Sequence, residues 1–236
     1  LDYDNNRKYR ILIPSEDKMV YNYDKNGEIV KGWKFTKMPE RITQEVQYHV
    51  HKSKDFIYVV DQSGNAKIVG RNGKQRIDLG TLPIASTYHI DKQNGYIYST
   101  DEKANVWLTD LKGIQSKIKN NNLIKPHHFV AYNINKDDLT ELIISEEKLS
   151  CYQLEAEVFD YGISSDYAPH IFEFNDQHYI GLSQGENCYL LKSNGNLYPG
   201  MPLYGQGVFN CTDTDKDGKL NLVIGNGELL YNYSLE

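Results

Sequence analysis

The sequence predicts an all-β chain built from repeated antiparallel sheets. Three observations carry that reading: short apolar runs rich in Tyr, Val and Ile, polar Gly/Asn/Asp turns between them, and a recurrence of this pattern about every 42 residues. Six such runs open the count, at 9–13, 56–60, 96–98, 141–144, 179–182 and 220–224. Each is followed by a polar turn such as Asp61-Gln62-Ser63-Gly64 or Gly225-Asn226-Gly227 and then by a second run. The second runs centre on Tyr21, Lys67, Trp107, Tyr152, Tyr189 and Tyr231, at spacings of 46, 40, 45, 37 and 42 residues. Aromatic and β-branched residues suit a pleated, half-buried surface, and Gly and Asn supply the positive φ that closes hairpins.

In four of the six repeats a glycine falls six residues after the centre of the second run: Gly27, Gly73, Gly113 and Gly195. A third strand is expected after it, as at 28–33 and 196–198. A further strand opens the next repeat, at 46–50, 87–90, 129–132, 171–174 and 207–210. Four antiparallel strands per 42 residues is the pattern of a propeller blade, whose apolar faces are buried by stacking one blade on the next. The expectation is therefore a single β-propeller domain over 1–236 with about six repeat units. The first unit keeps only Leu1-Asp2-Tyr3-Asp4 of its opening strand, and the last ends after Tyr231-Asn232-Tyr233. These incomplete units predict the C-terminal part of a longer chain, with an open or imperfect ring as the alternative.

Composition narrows the function. Of 236 residues 39% are apolar and 25% charged, and the formal net charge is −6. That balance supports a sizeable core and argues against a nucleic-acid surface, which needs clustered Lys and Arg. No run approaches the 18 or so apolar residues of a spanning helix. Three cysteines, Cys151, Cys188 and Cys211, are too few and too scattered for a disulfide framework and read as small core hydrophobes.

The sharpest motif is Asp213-Thr214-Asp215-Lys216-Asp217-Gly218-Lys219-Leu220-Asn221. Carboxylates at positions one, three and five offer hard oxygens around one point. Gly218 permits the turn, the Lys219 carbonyl is a further candidate ligand, and Asn221 at position nine closes the shell, which points to calcium. The competing reading is a solvated turn whose Asp side chains cap backbone amides. A weaker copy, Asn133, Asn135, Asp137, the Leu139 carbonyl and Glu141, occupies the same place in its repeat. A third copy runs from Asp2 to Arg10, where a cation at position nine predicts that no ion is held. The acidic loop leading into the Leu220-Asn221-Leu222-Val223-Ile224-Gly225 strand resembles the FG-GAP/VCBS-type β-propeller repeats of bacterial exported proteins, as do the 26–33 and 194–202 segments, and the Tyr/Trp strands are similar to those of quinoprotein-like propellers. The resemblance implies structural calcium and a periplasmic, cell-surface or extracellular binding module.

Seven histidines invite a metal hypothesis. His49 and His51 alternate on one strand and project to one face about 7 Å apart. His89 takes the place of His49 in the next repeat, while His127, His128 and His170 precede later opening strands. The simpler reading is that they satisfy backbone groups, and His178 reads as a surface residue. No nucleophile elbow, phosphate loop or nucleotide fingerprint occurs. The 19 tyrosines with Trp33 and Trp107 serve either as filling between sheets or as a sugar-stacking surface. Two function classes follow, beside a third, purely structural reading in which the calcium loop staples the last blade. One is a non-catalytic module, monomeric or part of a larger chain, that binds a protein or glycan partner. The other is a propeller enzyme acting on polysaccharide, or a quinone-dependent dehydrogenase, with its site at the channel mouth.

Overall fold

The structure, a computed structural model, describes residues 1–2, 6–51, 53–85, 88–91, 95–103, 105–118, 128–137, 139–153 and 156–235. All regular structure among them is β. Two compact units divide the chain, Leu1–Lys119 and Asn120–Glu236, each with three antiparallel sheets. In the first unit, sheet one pairs β1 (Arg10–Pro14) with β2 (Val20–Asp24). Sheet two runs β3 (Gln47–His51), β4 (Lys54–Val60), β5 (Asn65–Val69), β6 (Gln75–Thr81), and sheet three runs β7 (Tyr88–Ile90), β8 (Ile97–Thr100), β9 (Val106–Thr109), β10 (Gln115–Ile118). In the second unit, sheet four holds β11 (His128–Tyr132), β12 (Glu141–Ser145), β13 (Leu149–Gln153) and β14 (Ala156–Tyr161). Sheet five holds β15 (His170–Phe174), β16 (Gln177–Gln184), β17 (Asn187–Lys192) and β18 (Leu203–Tyr204), and sheet six holds β19 (Asn210–Thr212), β20 (Asn221–Asn226) and β21 (Leu229–Ser234). Every strand is hydrogen-bonded to its neighbour in sequence, so each sheet is a simple meander.

The six centres of the second runs all lie in strands: β2, β5, β9, β13, β17 and β21. Two local expectations are corrected. The third strands at 28–33 and 196–198 are each reduced to one bridge, Tyr23 with Ile29 and Leu191 with Leu197. A turn follows each at a positive-φ glycine, Gly32 and Gly200, and ends the pairing. The opening strand expected at 207–210 starts only at Asn210, because Gly205 and Gly207 both hold positive φ.

Four apolar clusters join consecutive sheets within the units. Val20 of β2 meets Ile57, Val59 and Val69 of sheet two. From the opposite face of sheet two, Phe56, Tyr58, Val60 and Ile68 meet Tyr88, Ile90 and Ile97 of sheet three. In the second unit Ile143 and Cys151 of sheet four meet Ile180, Leu182 and Leu191, while Phe172, Cys188 and Leu190 of sheet five meet Leu220, Leu222 and Ile224. Sheets two and five are thus covered on both faces, which is why β4 and β16 are continuous apolar runs rather than alternating ones. The three cysteines are buried thiols whose pKa values burial pushes up, to about 12 for Cys151, about 11 for Cys188 and about 12 for Cys211. Buried tyrosines pin their hydroxyls to the chain: Tyr58 donates to the Gly95 carbonyl at 3.0 Å and Tyr88 to that of Glu45 at 2.8 Å. Trp33 stacks on Phe35 and donates Nε1 to the Val20 carbonyl at 2.7 Å, so it fills a gap next to the second strand.

The turns in the first unit repeat one device. Asp24, Asp61, Asp101 and Asp110 each accept from the N–H groups two and four residues on, at 2.8–3.0 Å. Burial opposes the charge of Asp101, yet donors from Asn105, Trp107 and Lys103 outweigh it and hold its pKa at about 2. Glycine is indispensable at one of these turns. Gly64 has φ +83°, and a Cβ there would stand 2.2 Å from the Leu82 carbonyl oxygen, whose own N–H donates to the Gly64 carbonyl at 2.8 Å. At Gly27, with φ +81°, nothing lies within 4 Å of that position. Gly27→Ala is therefore expected to cost about 1–2 kcal/mol through left-handed strain alone, and Gly64→Ala more than about 3 kcal/mol because backbone must also move. Thermal or urea unfolding of the two variants checks the order, and equal losses would contradict it.

Candidate functional site

The Asp2–Arg10, Asn133–Glu141 and Asp213–Asn221 segments share one backbone scaffold. At position one a side-chain oxygen accepts from the N–H of position five: Asp2 from Asn6 at 3.1 Å, Asn133 from Asp137 at 3.2 Å, Asp213 from Asp217 at 3.2 Å. At position five the side chain accepts from position seven: Asn6 from Lys8 at 2.9 Å, Asp137 from Leu139 at 3.0 Å, Asp217 from Lys219 at 2.8 Å. Asp2 and Asp213 also accept from position six, Arg7 and Gly218, at 2.8 and 2.9 Å, and both of those residues hold positive φ. Asx-type capping thus builds the loop in every copy. Tyr3, Asp4 and Asn5 lie outside the described residues.

What fills the loop differs. In 213–221, one oxygen from each of Asp213, Asp215 and Asp217 lies within 4.8 Å of the others. Two ligands at about 2.4 Å from one calcium ion are separated by at most about 4.8 Å, so the donor set fits such an ion. Burial works against the charge of Asp213, but the N–H groups of Gly218, Lys216 and Asp217 prevail and keep its pKa below the usual carboxylate range. Asn221 is not aimed at this cluster. Its buried Oδ1 accepts from the N–H of Thr214 at 2.7 Å and from its hydroxyl at 2.9 Å, closing the loop onto β20.

In 133–141 the same position, Glu141, is equally buried and accepts from the Ile134 N–H at 2.8 Å. Position nine is therefore a latch in both loops. Here the interior is occupied by amides. Gln153, the register partner of Glu141, donates Nε2 to Asp137 at 2.6 Å and to Glu141 at 2.8 Å, and Asn135 donates to Asp137 at 3.0 Å. The acceptors of Asp137 and Glu141, expected with Asn133, Asn135 and the Leu139 carbonyl as a second ligand set, are thus satisfied by amide donors in this arrangement. The corresponding partner of Asn221 is the short Ser234. In the first loop the Arg10 guanidinium turns to the carbonyls of Lys8 and Tyr9, at 3.4 and 3.2 Å.

His178, expected on the surface, is buried. Its Nδ1 lies 2.9 Å from the Ile134 carbonyl oxygen and its ring meets Tyr132 edge-on at 5.0 Å, so it fastens the second loop to sheet five. Beside it a cleft of about 320 Å³ is lined by Asn135, Lys136, Asp176 and Lys192, with Lys136 paired to Asp176. Among the described residues, Asp213, Asp215 and Asp217 are the one group of three or more His, Cys, Asp or Glu side chains close enough to share an ion. His49 and His51 lie on β3, His89 on β7, His128 on β11 and His170 on β15; His127 lies outside the described residues. The position-nine latch and the His178 anchor were missed by sequence reasoning, each being a polar residue at the entrance of an apolar strand whose partner lies elsewhere in the chain.

No family model matches the chain, and no curated protein matches it. Solved structures do. The computationally designed Ika8 protein is similar with a TM-score of 0.65 and 10% identity, over 97% of this chain and 69% of that one. The dihydro-haem d1 dehydrogenase NirN in complex with DHE gives 0.64 and 12%, over 96% of this chain and 51% of that one. BBS1N in complex with ARL6DN gives 0.63 and 12%, over 99% and 77%. At these identities the likeness shows the fold alone: an all-β chain of several antiparallel sheets.

Two outcomes follow from the latches. Asn221→Ala orphans the Thr214 N–H and is expected to cost about 1–3 kcal/mol in chemical unfolding. Burial raises the pKa of Glu141 above its ordinary value despite the donors around it. A raised folded-state pKa gives stability that is fully present below the unfolded value and is lost as pH rises through the folded one. Glu141→Gln is therefore expected to flatten that part of the melting-temperature profile above about pH 4, where the unfolded carboxyl begins to ionise, and a profile parallel to the parent's would contradict it.

Proposed function

We propose that the chain is a β-propeller binding module whose last sheet carries one structural calcium ion, held by Asp213, Asp215 and Asp217 and completed by the Lys219 carbonyl and solvent. The observation that carries this is the convergence of three carboxylates on a scaffold that recurs three times. The propeller reading is supported by meanders of up to four strands stacked through both faces, and by the likeness to NirN, itself a β-propeller, along 96% of this chain. The loop's resemblance to FG-GAP/VCBS-type repeats points the same way and to a bacterial exported protein. A solvent-accessible site of three carboxylates suits calcium at about 0.1–1 mM, the range of extracellular modules, which fits a periplasmic or surface location. The partner class is a protein or a glycan, met by loops at the rims of rigid sheets.

Calcium is expected to raise the melting temperature of the parent protein and EDTA to lower it, with about 2.7 kcal/mol gained at one hundred times the dissociation constant. Asp215→Ala is expected to abolish the response and Asp137→Ala to preserve it. An unchanged melting temperature from EDTA to about 10 mM calcium, ten times the weak end of that range, overturns the ion.

A further inference from the structure

The repeat places an aromatic ring at the centre of the second strand in five of six units: Tyr21, Trp107, Tyr152, Tyr189 and Tyr231. The exception is Lys67 on β5. Its strand partner is Val59, whose side chain packs in the interface between sheets one and two, so the lysine stem runs into that apolar seam. Lys67 is only 6% exposed. Its Nζ donates to the Thr36 carbonyl at 2.6 Å and stands 4.2 Å above the centre of the Phe35 ring. The carbonyl and the ring face offset part of the cost of burying an ammonium, the ring by about 0.5–2 kcal/mol. No carboxylate pairs with it among the described residues. Asp78 is its partner in the register of β5 and β6, but a bulge interrupts the ladder there, and Asp78 is exposed with Oδ1 accepting the Gly80 N–H at 3.0 Å. An ammonium has three donors and this one has one conventional acceptor.

The open side of Lys67 lines a cleft of about 400 Å³, with Lys37, Met38, Gln75, Asp78 and Thr81 among the walls. That volume is at the small end of ligand clefts, roughly 300–1,000 Å³, and admits one sugar ring rather than a chain. Lys37, Lys67 and Asp78 all line it, and Lys67 is a buried cation with no carboxylate in ion-pair contact among the described residues, which favours an anion at its ammonium. A single compact ammonium, with no guanidinium fork or nest of N–H groups, suits one negative charge better than a phosphate's two. Gln75 and the Thr81 hydroxyl offer hydrogen bonding suited to hydroxyl groups.

We propose that this cleft binds a small hydroxylated monocarboxylate, a sugar acid of single-ring size, with its carboxylate on the Lys67 ammonium. Burial also pulls the Lys67 pKa below its ordinary value, outweighing the opposing charge of Asp78. The inference needs neither ring closure nor the calcium loop, which belongs to the other unit, and its test leaves both untouched.

The experiment titrates the full chain with sodium glucuronate and, in parallel, with glucose, reading melting temperature and the acetylation of each lysine by peptide mass spectrometry. At about ten times its dissociation constant glucuronate is expected to slow Lys67 acetylation about tenfold by mass action while leaving exposed Lys25 unchanged, and glucose to do neither. Lys67→Met keeps an unbranched side chain over Phe35 and is expected to lose the glucuronate-dependent rise in melting temperature, which Lys25→Met retains. Equal effects of glucose and glucuronate, a response that survives Lys67→Met, or no effect up to about 50 mM, beyond which affinity falls outside even the weak range, each overturn the proposal. Should Lys67→Met fail to fold, the shielding of Lys67 in the parent protein decides alone.

Discussion

Everything in this structure depends on the inability of a small antiparallel sheet to bury its own apolar faces. A two- to four-stranded meander is marginal alone, and each sheet gains stability by laying one or both faces on its neighbours. The effect is visible strand by strand. In β4 the residues alternate between two different interfaces, Phe56, Tyr58 and Val60 toward sheet three and Ile57 and Val59 toward sheet one. In β1 the same apolar character meets only one covering layer, and Ile11 and Ile13 stay exposed. Fully burying one such side chain contributes about 1.5–3 kcal/mol, so these seams outweigh any single turn or ion pair. Lys148 with Asp160 and Arg41 with Glu16 lie at the surface, where pairs contribute little.

Against that frame the loops are variations on fixed geometry. One side-chain oxygen at position one and one at position five turn the chain in all three copies, whether the residue is Asp or Asn, because both accept hydrogen bonds equally well. Charge enters only in what remains. Where positions three and five are both Asp and the adjacent strand offers a short Ser234, carboxylates are left facing one another; where the strand offers Gln153, its amide links Asp137 and Glu141. The same backbone thus gathers three carboxylates in one segment and satisfies its own acceptors with amides in another. The residues at positions one, three and nine and the partner on the neighbouring strand, Gln153 or Ser234, differ together between the two loops.

Much of the fold was legible because it is periodic. Strand, turn, strand and glycine recur at a spacing that survives substitution, and the residues that mark them act on their own backbone: Gly27, Gly73, Gly113 and Gly195 all take positive φ where the pattern requires it. The acidic triad was legible for the same reason, its oxygens being brought together by five consecutive residues. The latch role of Asn221 and Glu141 was not, since a ligand and a cap use the same oxygen and only the direction of the side chain distinguishes them. His178 read as a surface residue because nothing in its hairpin reveals that Ile134, 44 residues earlier, supplies a carbonyl to its ring.

The sequence by itself therefore determined the all-β class, the repeat length, the turn positions and the place of the carboxylate cluster, all of which arise from residues close together along the chain. Tertiary structure alone decided which apolar runs are covered on both faces, which polar side chains turn inward, and that Lys67 buries its charge between two sheets where its counterparts carry rings. Those outcomes depend on what the neighbouring sheet presents, and a contact between segments far apart in sequence leaves no local periodicity to read.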